Sequence, residues 1–228
     1  SSFWGVPAPF ALLLEACRES KLPACLNYVR LSGEELKPTM VQQILMHNRV
    51  ELANTYGPAE VTIEATAFMC TDPNPTLIPV GKPLPNTTAY ILDTHQQPLP
   101  IGVLGELYLG GPKVARGYIG RPDLTAASFL TIDTLPRDTG TLYKTGDRVR
   151  YMPDGNLLFL GRVDFQVRLN GQRVAAGGIA AVLRGVEGVR DALVVLQKGG
   201  GQEGGVDRLV GYVVPANVDA ARLREGCA

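Results

Sequence analysis

Four stretches of this sequence hold residue types that can do chemistry. The first is Asn54-Thr55-Tyr56-Gly57-Pro58-Ala59-Glu60. A Gly-Pro turn after a buried strand puts an aromatic ring and a carboxylate at the strand's carboxyl end, where open α/β sheets bind ligands. There Tyr56 can stack on a flat base, and Glu60 can hold Mg²⁺ near phosphates. The competing reading is a core aromatic followed by a helix-start carboxylate. In Tyr143-Lys144-Thr145-Gly146-Asp147, Asp147 follows a Thr-Gly turn and can accept hydrogen bonds from vicinal ribose hydroxyls, strengthened by its charge. A turn-capping Asp is the alternative. Gly161-Arg162-Val163-Asp164-Phe165-Gln166-Val167-Arg168, continued by Gly171-Gln172-Arg173-Val174, offers Arg162 to ribose or phosphate oxygens; otherwise it is a surface hairpin of alternating charges. Gly105-Glu106-Leu107-Tyr108-Leu109-Gly110-Gly111, with Ala115-Arg116-Gly117-Tyr118, reads as architecture rather than chemistry.

The elements that must position these residues follow from the apolar pattern. Phe10, Leu13, Leu14 and Cys17 have helical spacing behind Pro7 and Pro9, predicting a helix over 10–18. Strands are expected at Tyr28–Leu31 and Val50–Asn54, with a helix from Pro38 to His47 between them. That alternation is a parallel α/β unit. From about residue 100 the character turns to short strands, at 104–109, 141–149 and 157–161, around the Met152-Pro153-Asp154-Gly155-Asn156 turn. A helical turn is expected at 125–129. Further on, 165–169, 192–196 and 209–214 read as strands and 179–183 as helix, a βαββ order that suits a small α+β lobe. The boundary is expected near Val163-Asp164. The Gly-rich patch at 199–205 reads as a loop.

Composition excludes several classes. The 228 residues are 45% hydrophobic and 19% charged, a balance able to fill a core. Lys+Arg and Asp+Glu are both 22, so no basic surplus points to nucleic acid or an anionic membrane. The start, Ser-Ser-Phe-Trp-Gly, has neither a basic segment nor an apolar run, so neither signal peptide nor membrane span is expected. Cys17, Cys25, Cys70 and Cys227 make no CxxC pair or zinc spacing; reduced cysteines in a cytoplasmic protein are the reading. His47 and His95 have no nucleophile beside them in sequence, and there is no GxSxG elbow.

Taken singly the motifs are modest, but their order and spacing together resemble the core motifs of nonribosomal peptide synthetase adenylation domains across nearly the whole chain. The family's forms are NxYGPTE, GELxxGGxxxARGY, Y-x-TGD and GRxDxQVKxxGxR. The resemblance implies an α/β fold: residues 1–163 as the C-terminal portion of a large lobe with a β-rich barrel subregion, and 164–228 as the hinge and part of a small α+β lobe. It implies a parent that activates an amino or related carboxylic acid with ATP as acyl-AMP, then loads it on the phosphopantetheine thiol of a carrier protein. Its partners would be that carrier and adjacent synthetase domains. Tyr56 would stack on adenine, Glu60 would help bind Mg²⁺, Asp147 and Arg162 would hold the ribose, and Asp164 would be the hinge of a rotating small lobe. The matching acid-pocket positions are Gly5, Arg30, Ser32, Thr55, Ile63 and Glu64. Arg30 and Glu64 are unusual there: they pair with each other, read a polar substrate, or lie on the surface.

The departures from the pattern matter too. The family's phosphate-binding loop and substrate-amino acidic residue would lie upstream of Ser1, and its catalytic lysine beyond Ala228. The chain by itself is therefore expected to be inactive. Ala59 stands where the family has threonine, and Ala175-Ala176-Gly177-Gly178-Ile179-Ala180-Ala181 where it has acidic residues. Two readings follow: part of a working enzyme, or a degenerate adenylation-like platform that scaffolds neighbouring domains or a carrier.

Overall fold

Proline opens each of the first three helices, because its fixed φ suits the first helical position and its missing N–H is no loss there. In the computed structural model, which describes residues 1–17, 22–46, 50–136, 139–163, 166–169, 172–197, 208–215, 218 and 222–223, the order begins β1 (Ser2–Gly5), α1 (Pro7–Ala16), β2 (Tyr28–Ser32), α2 (Pro38–Leu45) and β3 (Glu51–Tyr56). A short 3₁₀ turn, Ala59–Val61, leads to β4 (Thr66–Cys70) and β5 (Lys82–Pro83). These strands form one sheet in the order β1-β2-β3-β4-β5. The first three are parallel, joined through the two helices, and β4 and β5 close the sheet antiparallel. Because side chains alternate along a strand, Val29 and Leu31 enter the core with Phe10, Val41, Ile44 and Leu52. Tyr28, Arg30 and Ser32 therefore take the other face.

The chain continues with β6 (Thr88–Leu92), β7 (Gly105–Gly110), α3 (Pro122–Ser128), β8 (Phe129–Leu130), β9 (Leu142–Tyr151) and β10 (Leu157–Arg162). The expected β-rich subregion is this antiparallel sheet, ordered β10-β9-β7-β6 with β8 against β9; β6 starts it before residue 100. Its core is Ile91, Leu107, Leu109, Tyr143, Val149 and Leu157, with Val61 and Ala65 from the turn after β3. Backbone bonds from Val80 N–H to the Leu157 carbonyl and from Leu157 N–H to the Gly81 carbonyl, both 2.8 Å, tie the segment before β5 to β10.

The chain divides by contacts into Ser1–Val163 and Asp164–Ala228. In the second unit β11 (Gln166–Leu169) pairs antiparallel with β12 (Gln172–Ala175), α4 follows (Ala176–Arg184), and β13 (Asp191–Gln197) pairs with β14 (Arg208–Val214). One strand was expected before this helix; there are two, because Gln172–Ala175 folds back on Gln166–Leu169 in full register. Ala175 of the alanine run ends β12, and the rest of the run is helical. Ala176, Ala180 and Leu183, spaced i, i+4, i+7, are buried against Ala192 and Val194 of β13. Among the described residues no helix is long and apolar enough to cross a membrane. His47, Asp164 and Cys227 lie outside the described residues.

Candidate functional site

Two glycines create the centre of the site. Gly146 in β9 has φ +73° and Gly161 in β10 has φ +118°, both in the left-handed region that favours glycine. The β10–β9 ladder shifts register between Phe159 and Arg162, and the β7–β9 ladder between Glu106 and Tyr108. Such irregularities re-aim side chains. Here they put Arg162 directly opposite Asp147. The Arg162 guanidinium donates to Asp147 Oδ1, and the Tyr56 hydroxyl donates to Asp147 Oδ2. Asp147 is only 4% exposed, so its charge needs such partners. Its backbone N–H donates to Thr145 Oγ1 at 3.0 Å, and Thr145 itself donates to the Leu107 carbonyl at 2.8 Å, locking the turn. Burial, then the adjacent Asp147 charge, holds the Tyr56 phenol well above its ordinary pKa. The Tyr56 ring lies 6.4 Å from that of Phe159.

Glu60 sits on the 3₁₀ turn that the Gly57-Pro58 pair introduces. A Cβ on Gly57 would collide with the Ile63 carbonyl oxygen and lie 2.7 Å from the Ala65 nitrogen, so the turn is as tight as glycine permits. Tyr118 donates its hydroxyl to Glu60 Oε1 at 2.7 Å. Burial, then hydrogen bonding with Tyr143 and Glu60, raises the Tyr118 pKa far above the ordinary value. Ala115-Arg116-Gly117-Tyr118 was expected to be architecture; its tyrosine is the fixed partner of Glu60. Glu106, in the same motif, is half-buried on β7. Burial pushes its carboxyl up, Lys144 Nζ is 3.7 Å from Oε2, and Oε1 is buried without a hydrogen-bond partner among the described residues.

The second group lies towards the carboxyl ends of the three parallel strands. Arg30 Nη1 donates to Glu64 Oε2 at 2.6 Å, and Thr55 Oγ1 donates to Glu64 Oε1 at 3.2 Å. The pair is about one-quarter exposed, 26% and 22%. The Arg30 guanidinium carbon lies 4.6 Å from the Trp4 ring centroid and 5.6 Å from that of Tyr28, a double cation–π contact. Burial opposes the Arg30 charge, but the neighbouring Tyr28 and Glu64 side chains outweigh it and keep the pKa raised. Of the three readings for Arg30 and Glu64, pairing is the one observed. Gly5 ends β1 beside Leu31, and Ser32 pairs with Thr55 in register. Ile63 is 68% exposed. Trp4 and Tyr28 were not legible as Arg30 partners, because only the β1–β2 register brings Trp4 opposite Arg30.

The residues fit the groups that the motifs imply. A carboxylate offers roughly four acceptor positions, so accepting from Tyr56 and Arg162 does not exclude ribose hydroxyls at Asp147. Among the described residues no three His, Cys, Asp or Glu side chains cluster for a metal. A lone Glu60 suits Mg²⁺, which keeps several waters and uses one or two carboxylates beside phosphates.

Residues 1–119 match the AMP-binding enzyme family. The chain belongs to the AMP-binding enzymes. It is 41% identical over 209 residues to tyrocidine synthase 3 of Brevibacillus parabrevis, an alignment spanning 89% of this chain and 3% of that protein. It is 44% identical over 192 residues to malpibaldin synthetase of Mortierella alpina, spanning 83% of this chain and again 3% of the relative. Among solved structures it is similar to NpsA-ThdA, an artificially fused adenylation-PCP di-domain NRPS from Klebsiella oxytoca, with TM-score 0.76 and 26% identity over 100% of this chain and 42% of that one. It is also similar to the Vibrio cholerae adenylation domain AlmE in complex with glycyl-adenosine-5'-phosphate, with TM-score 0.81 and 26% identity over 99% of this chain and 43% of that one. The resemblance to peptide synthetase adenylation domains and the α/β fold it implied are both borne out.

Proposed function

We propose that this AMP-binding family member supplies the nucleotide half-site and part of the acid pocket of an adenylation domain, with 1–163 from the large lobe and 164–228 from the hinge and small lobe. The parent activates an amino or related carboxylic acid with ATP as acyl-AMP and transfers it to a carrier-protein phosphopantetheine thiol. The observation that carries this reading is the buried Tyr56–Asp147–Arg162 constellation, assembled from two different sheets.

In this reading Tyr56 presents its ring to adenine while its hydroxyl anchors Asp147. Asp147 accepts from the ribose hydroxyls, and Arg162 holds Asp147 in position. Glu60, oriented by Tyr118, holds Mg²⁺, which when bound offsets the phosphate charge that repels an attacking carboxylate. Gly5, Arg30, Ser32, Thr55, Ile63 and Glu64 face the acid, and Asp164 is the hinge. The PCP domain in NpsA-ThdA and the adenylate bound to AlmE support the carrier and acyl-AMP parts of the reading.

Calorimetric titration of the chain with ATP–Mg²⁺ tests it. Asp147→Ala, checked for folding by circular dichroism, removes hydrogen bonds to a charged group, worth about 1.5–3 kcal/mol. Binding by the native chain that weakens at least about tenfold in the variant supports the half-site. No heat of binding from a folded native chain sinks it. It would favour the degenerate platform, which Ala59, lacking the hydroxyl usual at that position, also favours.

A further inference from the structure

We propose that the pocket around Arg30 and Glu64 selects an amino acid with a neutral carboxamide side chain, an inference that rests on the adenylation reading above. The pair is locally neutral: one guanidinium and one carboxylate, 2.6 Å apart. The Glu64 oxygens accept from Arg30 and Thr55, and a carboxylate still accepts further donors. Arg30 brings five N–H groups, and the bond to Glu64 is made from Nη1, on a side chain that stays 26% exposed. The surface thus presents a donor and an acceptor side by side, with aromatic rings flanking the donor.

A carboxamide matches that surface. Its oxygen accepts from Arg30, its NH₂ donates to Glu64, and it adds no charge. A carboxylate side chain meets Glu64 with like charge, and an ammonium meets Arg30. An apolar side chain leaves polar groups desolvated and unmatched, the situation in which polar pockets discriminate by several powers of ten.

The backbone shows that Glu64 is aimed rather than incidental. Thr62 and Ile63 both take positive φ, 53° and 69°, a costly conformation for β-branched residues. The segment is held there by Thr62 Oγ1 donating to the Lys113 carbonyl at 2.8 Å, and by Lys113 Nζ donating to the Glu64 carbonyl at 3.2 Å. Strain sustained in this way marks segments that place a working side chain.

Trp4, the one tryptophan in the sequence, is a built-in reporter because it covers Arg30. The chain is titrated with L-glutamine, L-asparagine, L-glutamate, L-lysine and L-norleucine while Trp4 emission is followed; all share the α-amino and α-carboxylate groups. Both or one of the carboxamides should half-saturate at least about tenfold below the other three. Glu64→Gln keeps the shape but leaves Arg30 charged, so it should move the preference to L-glutamate; loss of fold could not produce that inversion. Response to neither carboxamide, or equal response to L-glutamate, L-lysine or L-norleucine, overturns the proposal. ATP–Mg²⁺ binding without a carboxamide response sinks the substrate class alone. A carboxamide response without ATP binding leaves the pocket standing and sinks the nucleotide half-site.

Discussion

Tyr56 has its hydroxyl committed to Asp147, and that commitment makes alkaline stability informative. Its folded pKa lies above the ordinary value of 10.0. The unfolded chain therefore releases the phenolic proton first. The stabilisation is fully present below pH 10 and is lost as pH rises towards the folded value. Urea denaturation at about pH 9 and about pH 11 should show a fall in stability that Tyr56→Phe makes shallower. A residual fall is expected from Tyr118 and Tyr151, whose phenols are also raised, chiefly by burial. An unchanged slope in the variant would mean that Tyr56 is not held as described. At this scale, the residue types were readable from sequence but their partners were not. Asp147 and Arg162 each stood out in its own motif as a candidate for ribose or phosphate, with no sign that they pair. The phenol joining Asp147 from β3, 91 positions away, had no local signal. Tyr118 was passed over because a tyrosine after Ala-Arg-Gly looks like any turn residue until Glu60 is seen against it.

The elements place their glycines for different reasons, and substitutions separate those reasons. At Gly57 an added Cβ would meet the Ile63 carbonyl and the Ala65 nitrogen. Both are backbone, which cannot swing aside. Gly57→Ala should cost about 1–3 kcal/mol or more, as overpacking does, and should disturb Glu60 and Glu64 together. At Gly161 nothing lies within 4 Å of an added Cβ, so Gly161→Ala carries the positive-φ penalty alone, on the order of 1–2 kcal/mol. Chemical denaturation of the two variants should rank Gly57→Ala as the more damaging; the reverse order would contradict the tight turn. Strands with strong alternation, such as β7 and β9, were legible from their spacing. β4 and β6 were not, since Thr66–Cys70 and Thr88–Leu92 do not alternate polar with apolar residues and so show no strand period; nor was β1, Ser2–Gly5. β12 was hidden for another cause: Gln172-Arg173-Val174 reads as the tail of a motif rather than as a strand.

Across the whole molecule each unit carries its own core. That of the second is Ala176, Ala180, Leu183, Ala192 and Val194. Leu183 is 6% exposed, so Leu183→Ala should cost about 2–5 kcal/mol. Hydrogen exchange should show the loss of protection in β13 and β14, with β7 and β9 keeping theirs. Uniform loss across both units would mean that they unfold as one body. The α/β-then-β-rich progression was legible because helical and strand periods differ. The match of residues 1–119 to the AMP-binding enzymes agrees with it. The two positive-φ glycines, Gly146 and Gly161, also limit how this chain can change through descent. Strand side chains alternate faces, so one codon gained or lost between Gly161 and Arg162 would turn the guanidinium to the opposite side of the sheet. The hairpin tip at Met152–Asn156, closed by its own backbone bonds, has no such phase to keep. Length variation is thus permitted at one end of the β9–β10 ribbon and forbidden at the other, and a reading-frame-preserving indel scan would trace that divide directly.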